Sequence, residues 1–244
     1  MSSPNTPIEA ALSGQYVFNI KALLRYSHDK TKTQIFPFIG AMMLAFAAVI
    51  VFSMILLSIF GISNPLEIER ATALQLEMLL MFFMAPIITA FLVMGIRSAV
   101  AKPIKPLDML AYFPRIFLLG MVSIFISLWI SVGFQLFIIP GLYLWVVTSL
   151  VLPLMVDKGA SPFQAIKLSF KLTNKYLSSF VFIHGIILLL IIISALTYGL
   201  LFFYTVPFML TLKGKIYADL VGYQIENDII ETQESRKDDT TFDA

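Results

Sequence analysis

This sequence predicts an all-α, polytopic transmembrane helix bundle of six spans, with short helices at the cytoplasmic interface. Three observations carry the prediction. The 244-residue chain is 59% hydrophobic and 13% charged, with a mean hydropathy of +0.88. A soluble domain of that length cannot hide so much apolar surface, whereas a bilayer solvates it. Long charge-free stretches occur in pairs, and most are of a length to cross a hydrocarbon core of about 30 Å. Sixteen of the seventeen Lys and Arg residues lie in the four segments outside those pairs. By the positive-inside rule, that places every basic segment and both termini in the cytoplasm.

Residues 1–34 form a cytoplasmic, amphipathic lead with Lys21, Arg25, Lys30 and Lys32. The first span, 35–60, begins too late and runs too long for a cleaved signal peptide, so it reads as a retained anchor. A connection of about fifteen residues, with Glu67, Glu69, Arg70 and Glu77, leads to the second span at 78–96. The third span, 116–139, ends at Pro140-Gly141, where a tight turn is expected. The fourth, 142–156, stops at Asp157-Lys158. Block 180–212 is too long for one ordinary span and short for two. Dividing it near Gly199 returns Lys213 and Lys215 to the basic side and gives six spans; leaving it whole gives five and strands both lysines outside. The membrane domain is thus 35–222, and 223–244 is expected to be a disordered, acidic cytoplasmic tail.

The inner segments carry their own local signals. Thr6-Pro7-Ile8-Glu9 and Ser161-Pro162-Phe163-Gln164 share an N-cap hydroxyl, a Pro at the first helical position and an acid or amide at N3. Lys102-Pro103-Ile104-Lys105-Pro106 matches them loosely, which raises a threefold helix–hairpin repeat, with convergent capping as the alternative. Following Ser161, the residues Lys167, Lys171 and Lys175 recur four apart on one helical face, with Phe163, Ile166 and Phe170 on another. At the inner interface such lysines would each gain about 1 kcal/mol from anionic headgroups. The same pattern also serves simply as a solvated face and topology signal.

Signals for chemistry are sparse. With no Cys and only His28 and His184, the chain offers no thiolate and no clustered zinc ligands, and no metal or other cofactor is expected. A net charge of +2 gives no nucleic-acid footprint. The intramembrane polar candidates are Gln135, His184 and the stripe Ser123, Ser127 and Ser131, spaced four apart. Together they would form a substrate path if they met in one cavity; separately, helix packing accounts for them. Pro86 is expected to kink the second span. No phosphate-binding loop, nucleophile elbow or carboxylate pair is visible, so no enzymatic activity is expected.

Residues 139–174, IPGLYLWVVTSLVLPLMVDKGASPFQAIKLSFKLTN, resemble a block of uncharacterised bacterial six-pass inner-membrane proteins. That group includes the YciC-like proteins and the membrane domain found beside glycerophosphodiester phosphodiesterases. The likeness rests on Pro140-Gly141, Pro153-Leu154, Gly159, Ser161, Ala165 and Ser169, and covers residues 80–222 more loosely. It implies a bacterial inner-membrane location and the six-pass topology, with no phosphodiesterase domain to carry over. The expected role is a non-enzymatic envelope, assembly or regulatory factor whose partners are membrane lipids and a membrane protein or a second copy of this chain. The alternative is a transporter or channel for a small or lipid-like substrate.

Overall fold

The computed structural model describes residues 6–64 and 68–223, and among these the chain is helical without strands. The acidic tail expected from residue 223 lies, but for Tyr223, outside the described residues, as do the first five residues of the lead. Five helices are long and apolar enough to cross a membrane. Their outer faces leave side chains such as Phe36, Phe46, Phe117 and Met121 more than 60% exposed. Water does not tolerate contiguous apolar surface on that scale. The protein is a multi-pass membrane protein.

Helix α1 (Pro7–Ser13) opens on Thr6, whose hydroxyl accepts the Glu9 N–H at 3.3 Å, and ends at Gly14 with φ 87°. Helix α2 (Ile20–Ile59) is 40 residues long. At 1.5 Å per residue it is about twice as long as a hydrocarbon core is thick, so part of it lies outside the spanning stretch. The division falls at Gln34, where φ −124° and ψ 20° interrupt the helix. Pro37 accounts for it: it has no N–H for the Thr33 carbonyl, and its ring crowds that carbonyl. The lead from Ile20 onward and the first span are therefore one bent helix.

Helix α3 (Arg70–Ala99) begins well before the apolar stretch at 78–96, so Glu77 is helical. Two 3₁₀ turns, Pro106–Leu110 and Phe113–Arg115, lead into α4 (Ile116–Leu136). The next reversal differs from expectation. It is made by Phe137, a single extended residue with φ −161°, and α5 (Ile138–Val147) already contains Pro140-Gly141. Pro140 is tolerated in the first turn of α5, where an N–H has no helical partner anyway. Gly141 is needed for proximity: a Cβ there would stand 2.4 Å from the Phe134 ring, and one on Gly133 would stand 3.0 Å from the Gly141 backbone.

The fourth span is broken. After α5 the chain tightens into a turn over residues 148–150, where the Ser149 N–H reaches Val146 O and the Val151 N–H reaches Thr148 O, and resumes as α6 (Val151–Asp157). Pro153 forbids a continuous helix by crowding the Ser149 carbonyl. The freed Val147 carbonyl is taken by the Ser169 hydroxyl of α7 (Pro162–Lys175) at 2.5 Å. Block 180–212 divides as expected into the ends of α8 (Leu177–Leu196) and α9 (Phe202–Val221). Helix α8 stops in a Schellman motif: the Tyr198 N–H reaches Ala195 O and the Gly199 N–H reaches Ser194 O, with φ 52° and 84° at the two residues. Helix α9 falls outside the five most apolar helices because Lys213, Lys215 and Asp219 dilute it.

The core is built by the second helix of each pair. Half of the most apolar stretch is buried in α3 and in α5–α6, against 11% in α2, 22% in α4 and 28% in α8. Ten residues of α9 are buried, among them Leu212, Ile216, Tyr217 and Leu220. Three helices thus pack centrally and three face outward. The three inner segments share a local Pro opening, the middle one in a shifted register. The middle segment opens its turn at Pro106, not Pro103, so that Lys105-Pro106-Leu107-Asp108 stands beside the segments at Pro7 and Pro162. There Asp108 accepts the Lys105 N–H at 2.8 Å, as Gln164 accepts the Ser161 N–H at 3.2 Å.

Candidate functional site

The polar groups of the bundle gather around α9. Its continuation beyond Leu212 depends on close packing: Gly95 of α3 and Gly214 of α9 meet backbone to backbone. This carries Lys213 inward as a helix residue, eight positions or about 12 Å from the last residue of α9. Its side chain lines a cavity of about 240 Å³ between α3, α4, the α5–α6 break and α9. Ser123, Ser127, Thr148 and Ser149 supply hydroxyls, while Met81, Ile88, Leu92, Ile126, Ile130, Trp145 and Leu152 make the rest apolar.

The neighbouring lysine shows what is unusual about Lys213. Lys215 is paired with Asp219 at 2.6 Å and rests over the Tyr26 ring. No carboxylate pairs with Lys213 among the described residues; its ammonium faces the Trp145 ring at 5.8 Å. The Ser123 and Ser149 hydroxyl oxygens are buried in the same region without a hydrogen-bond partner. An uncompensated cation beside unpaired hydroxyls is costly in an apolar setting, and an anion would relieve all three.

Trp145 is also a wall of a second, almost wholly apolar cavity of about 340 Å³ between α5 and α8. His184 lines it, edge-on to Trp145 at 4.9 Å. Its Nδ1 lies 2.8 Å from the Phe180 carbonyl, which can only accept, so Nδ1 carries the proton. The other nitrogen, Nε2, is buried and unpartnered.

The intramembrane candidates therefore do not converge. Ser123 and Ser127 share the Lys213 cavity, His184 belongs to its neighbour, and Ser131 and Gln135 are exposed further along α4. Lys167, Lys171 and Lys175 are exposed on α7. That helix packs on the rest of the bundle through Ala165, Ser169, Leu172 and Thr173. Phe163 is 76% exposed, and Phe170 meets the rings of Trp129 and Tyr143. Lys175 is drawn toward α1, with its Cε beside Gly14 at the C-terminal end of that helix. There its charge favours the helix dipole.

At the ends of α1, α6 and α9 a hydrogen-bond network fixes the chain. The Tyr217 hydroxyl donates to the fully buried Asp157 carboxylate at 2.7 Å, and Lys158 stands 3.4 Å from the same oxygen. Tyr16 donates to Asp219 at 2.9 Å, and Tyr176 donates to the Ala11 carbonyl at 2.8 Å. Burial first, and then the Asp219 carboxylate, push the Tyr16 phenol well above its ordinary range, so it remains a donor. Burial likewise raises Tyr223 to about 12.

Sequence reasoning missed Lys213, Trp145 and Ser149. The apolar run ends at Leu212, which made Lys213 look like a flank. The available signal was the spacing of Leu212, Ile216, Tyr217 and Leu220, which carries an apolar helical face past the lysine. Against known proteins, the chain matches no family model, no curated protein and no solved structure.

Proposed function

We propose that this chain is a non-enzymatic factor of the bacterial inner membrane, with both termini cytoplasmic, that acts in envelope maintenance, assembly or regulation through anionic lipid. The observation that carries the reading is the exposure of Lys167 and Lys171 on a helix that is itself held rigidly. A reciprocal Ser161–Gln164 capping box starts α7, and the Ser169 bond to α5 fixes its face. Lysines on a fixed scaffold bind headgroups with less ordering entropy than lysines on a loose tail. The resemblance of block 139–174 to bacterial six-pass proteins supports the location.

A test is reconstitution of the full chain in phosphatidylcholine nanodiscs containing a minor fraction of phosphatidylglycerol. The wild type should enrich phosphatidylglycerol at its surface, and the triple variant Lys167→Gln, Lys171→Gln, Lys175→Gln should lose part of that enrichment. Equal enrichment would remove α7 from the account. A transporter for a lipid-like substrate is the second reading, favoured by one observation: the broken α5–α6 span borders a cavity, as broken helices do in transporters.

A further inference from the structure

The Lys213 cavity has a chemistry distinct from the α7 surface: its one lining cation stands among hydroxyls and apolar side chains. Its hydroxyl-bearing wall is formed by Ser123 of α4 and Ser149 of the α5–α6 break, whose oxygens lack partners. The cation has no counter-ion among the described residues, since Asp219 is engaged by Lys215 and Tyr16. Asp157, another acid near this end of α9, is engaged by Tyr217 and Lys158. The opposite wall is hydrocarbon, and Ile88, one of its members, is 45% exposed on the outer face of α3. The cavity is therefore lined by polar groups around Lys213 and by apolar side chains toward the lipid-facing surface.

Its size narrows the ligand. At about 240 Å³ the cavity is smaller than the usual range of some 300–1,000 Å³ for pockets that enclose a drug-sized molecule. It suits the polar end of a longer molecule whose apolar remainder leaves between helices. We propose that the space between α3, α4, the α5–α6 break and α9 binds the anionic end of a membrane lipid. Lys213 receives the phosphate or carboxylate, Ser123 and Ser149 donate to it, and the acyl chain leaves past Ile88 and Ile130. Trp145 borders the same space and reports occupancy, because its ring faces the Lys213 ammonium. This deepens the lipid-contact reading by adding a single defined site to a diffuse surface.

The chain has two tryptophans, so Trp129→Phe leaves Trp145 as the sole tryptophan, excited apart from the tyrosines at the red edge of its absorption. In phosphatidylcholine nanodiscs carrying acyl-brominated phosphatidylglycerol, its fluorescence should be quenched saturably at low mole fraction. Brominated phosphatidylcholine should quench only in proportion to its abundance. In the same background Lys213→Gln should weaken half-saturation about tenfold, equivalent to about 1.4 kcal/mol. Ser149→Ala removes an unpaired hydroxyl that the fold does not use, and should weaken it by a smaller factor. Inorganic phosphate added to the phosphatidylcholine sample should leave the emission unchanged; a saturable response to it would mean a soluble-anion site and overturn the lipid assignment. Equal quenching by the two brominated lipids, or an unchanged half-saturation in both variants, would overturn the site itself. The α7 triple variant retains Lys213, and the Lys213 variant retains the α7 lysines, so failure of one reading is distinguishable from failure of the other.

Discussion

Gly95 and Gly214 touch through their backbones: a Cβ built on Gly214 would lie 2.3 Å from the Gly95 carbonyl carbon and oxygen. No side-chain adjustment relieves an overlap with main chain, so α3 and α9 must separate to admit a methyl group. Gly214→Ala should therefore destabilise the protein by about 1–3 kcal/mol, the usual range for overpacking. Gly185→Ala is the control, since a Cβ there meets nothing within 4 Å. Thermal unfolding in detergent should show a clear loss for the first and none for the second. Comparable melting of the two would mean that the α3–α9 crossing is looser than described.

Tyr217 and Asp157 form the second rigid contact. The Asp157 side chain is wholly buried, and the Tyr217 hydroxyl is one of its donors. Tyr217→Phe keeps the ring and removes only that donor. The expected loss is about 1.5–3 kcal/mol, the range for hydrogen bonds to charged groups. Asp157→Asn keeps an acceptor for Tyr217 but gives up the charge facing Lys158 at 3.4 Å, so it should cost less. The order of the two in denaturant-induced unfolding is the test, and a reversed order would assign the main role to Lys158.

The Pro-opened turns make a third prediction. Ser161→Ala and Gln164→Ala each break one half of a reciprocal box and should each cost about 1 kcal/mol. The double variant should cost less than the sum, because each single change already opens the box. Asp108→Ala should cost more than either, since one carboxylate oxygen accepts the Lys105 N–H and also holds Arg97 at 3.0 Å. Additive behaviour at Ser161 and Gln164 would show that the two bonds act independently.

The fold was legible wherever a local rule decided the outcome. Charge-free stretches gave the apolar helices, the Ser161 box gave the start of α7, and Gly199 marked the division of the last apolar block. What the sequence hid depended on contacts between distant segments. Pro140-Gly141 looks like a turn, but the reversal falls at Phe137 because Gly133 and Gly141 let α4 and α5 close up earlier. Pro103 looks like the middle copy of the repeated opening, but Asp108 supplies the N3 acceptor only in the register of Pro106. Lys213 looks like a flanking charge: the spacing from Leu212 to Leu220 carries an apolar face past it, but that spacing does not announce that Gly95 will draw α9 inward. For the same reason the serine stripe on α4 could be seen whole in sequence, although the cavity takes Ser123 and Ser127 and leaves Ser131 outside.

Helix α9 bears on the topology. It is 20 residues long, about 30 Å at 1.5 Å per residue, which matches a hydrocarbon core. Its three charged residues lie in its second half: Lys215 and Asp219 pair with each other, and Lys213 is sheltered by neighbouring helices. Its first half, Phe202 to Thr211, is free of charge. A helix with that distribution can cross with its charged half toward the basic side, as the positive-inside rule requires. Compartment-sensitive reporters fused before α1 and after Val221 should therefore both report the cytoplasm, while one inserted at Gly199 should report the opposite side. Opposite locations for the two terminal fusions would mean five crossings, and would place Lys213 in a helix that turns back within the outer half of the bundle.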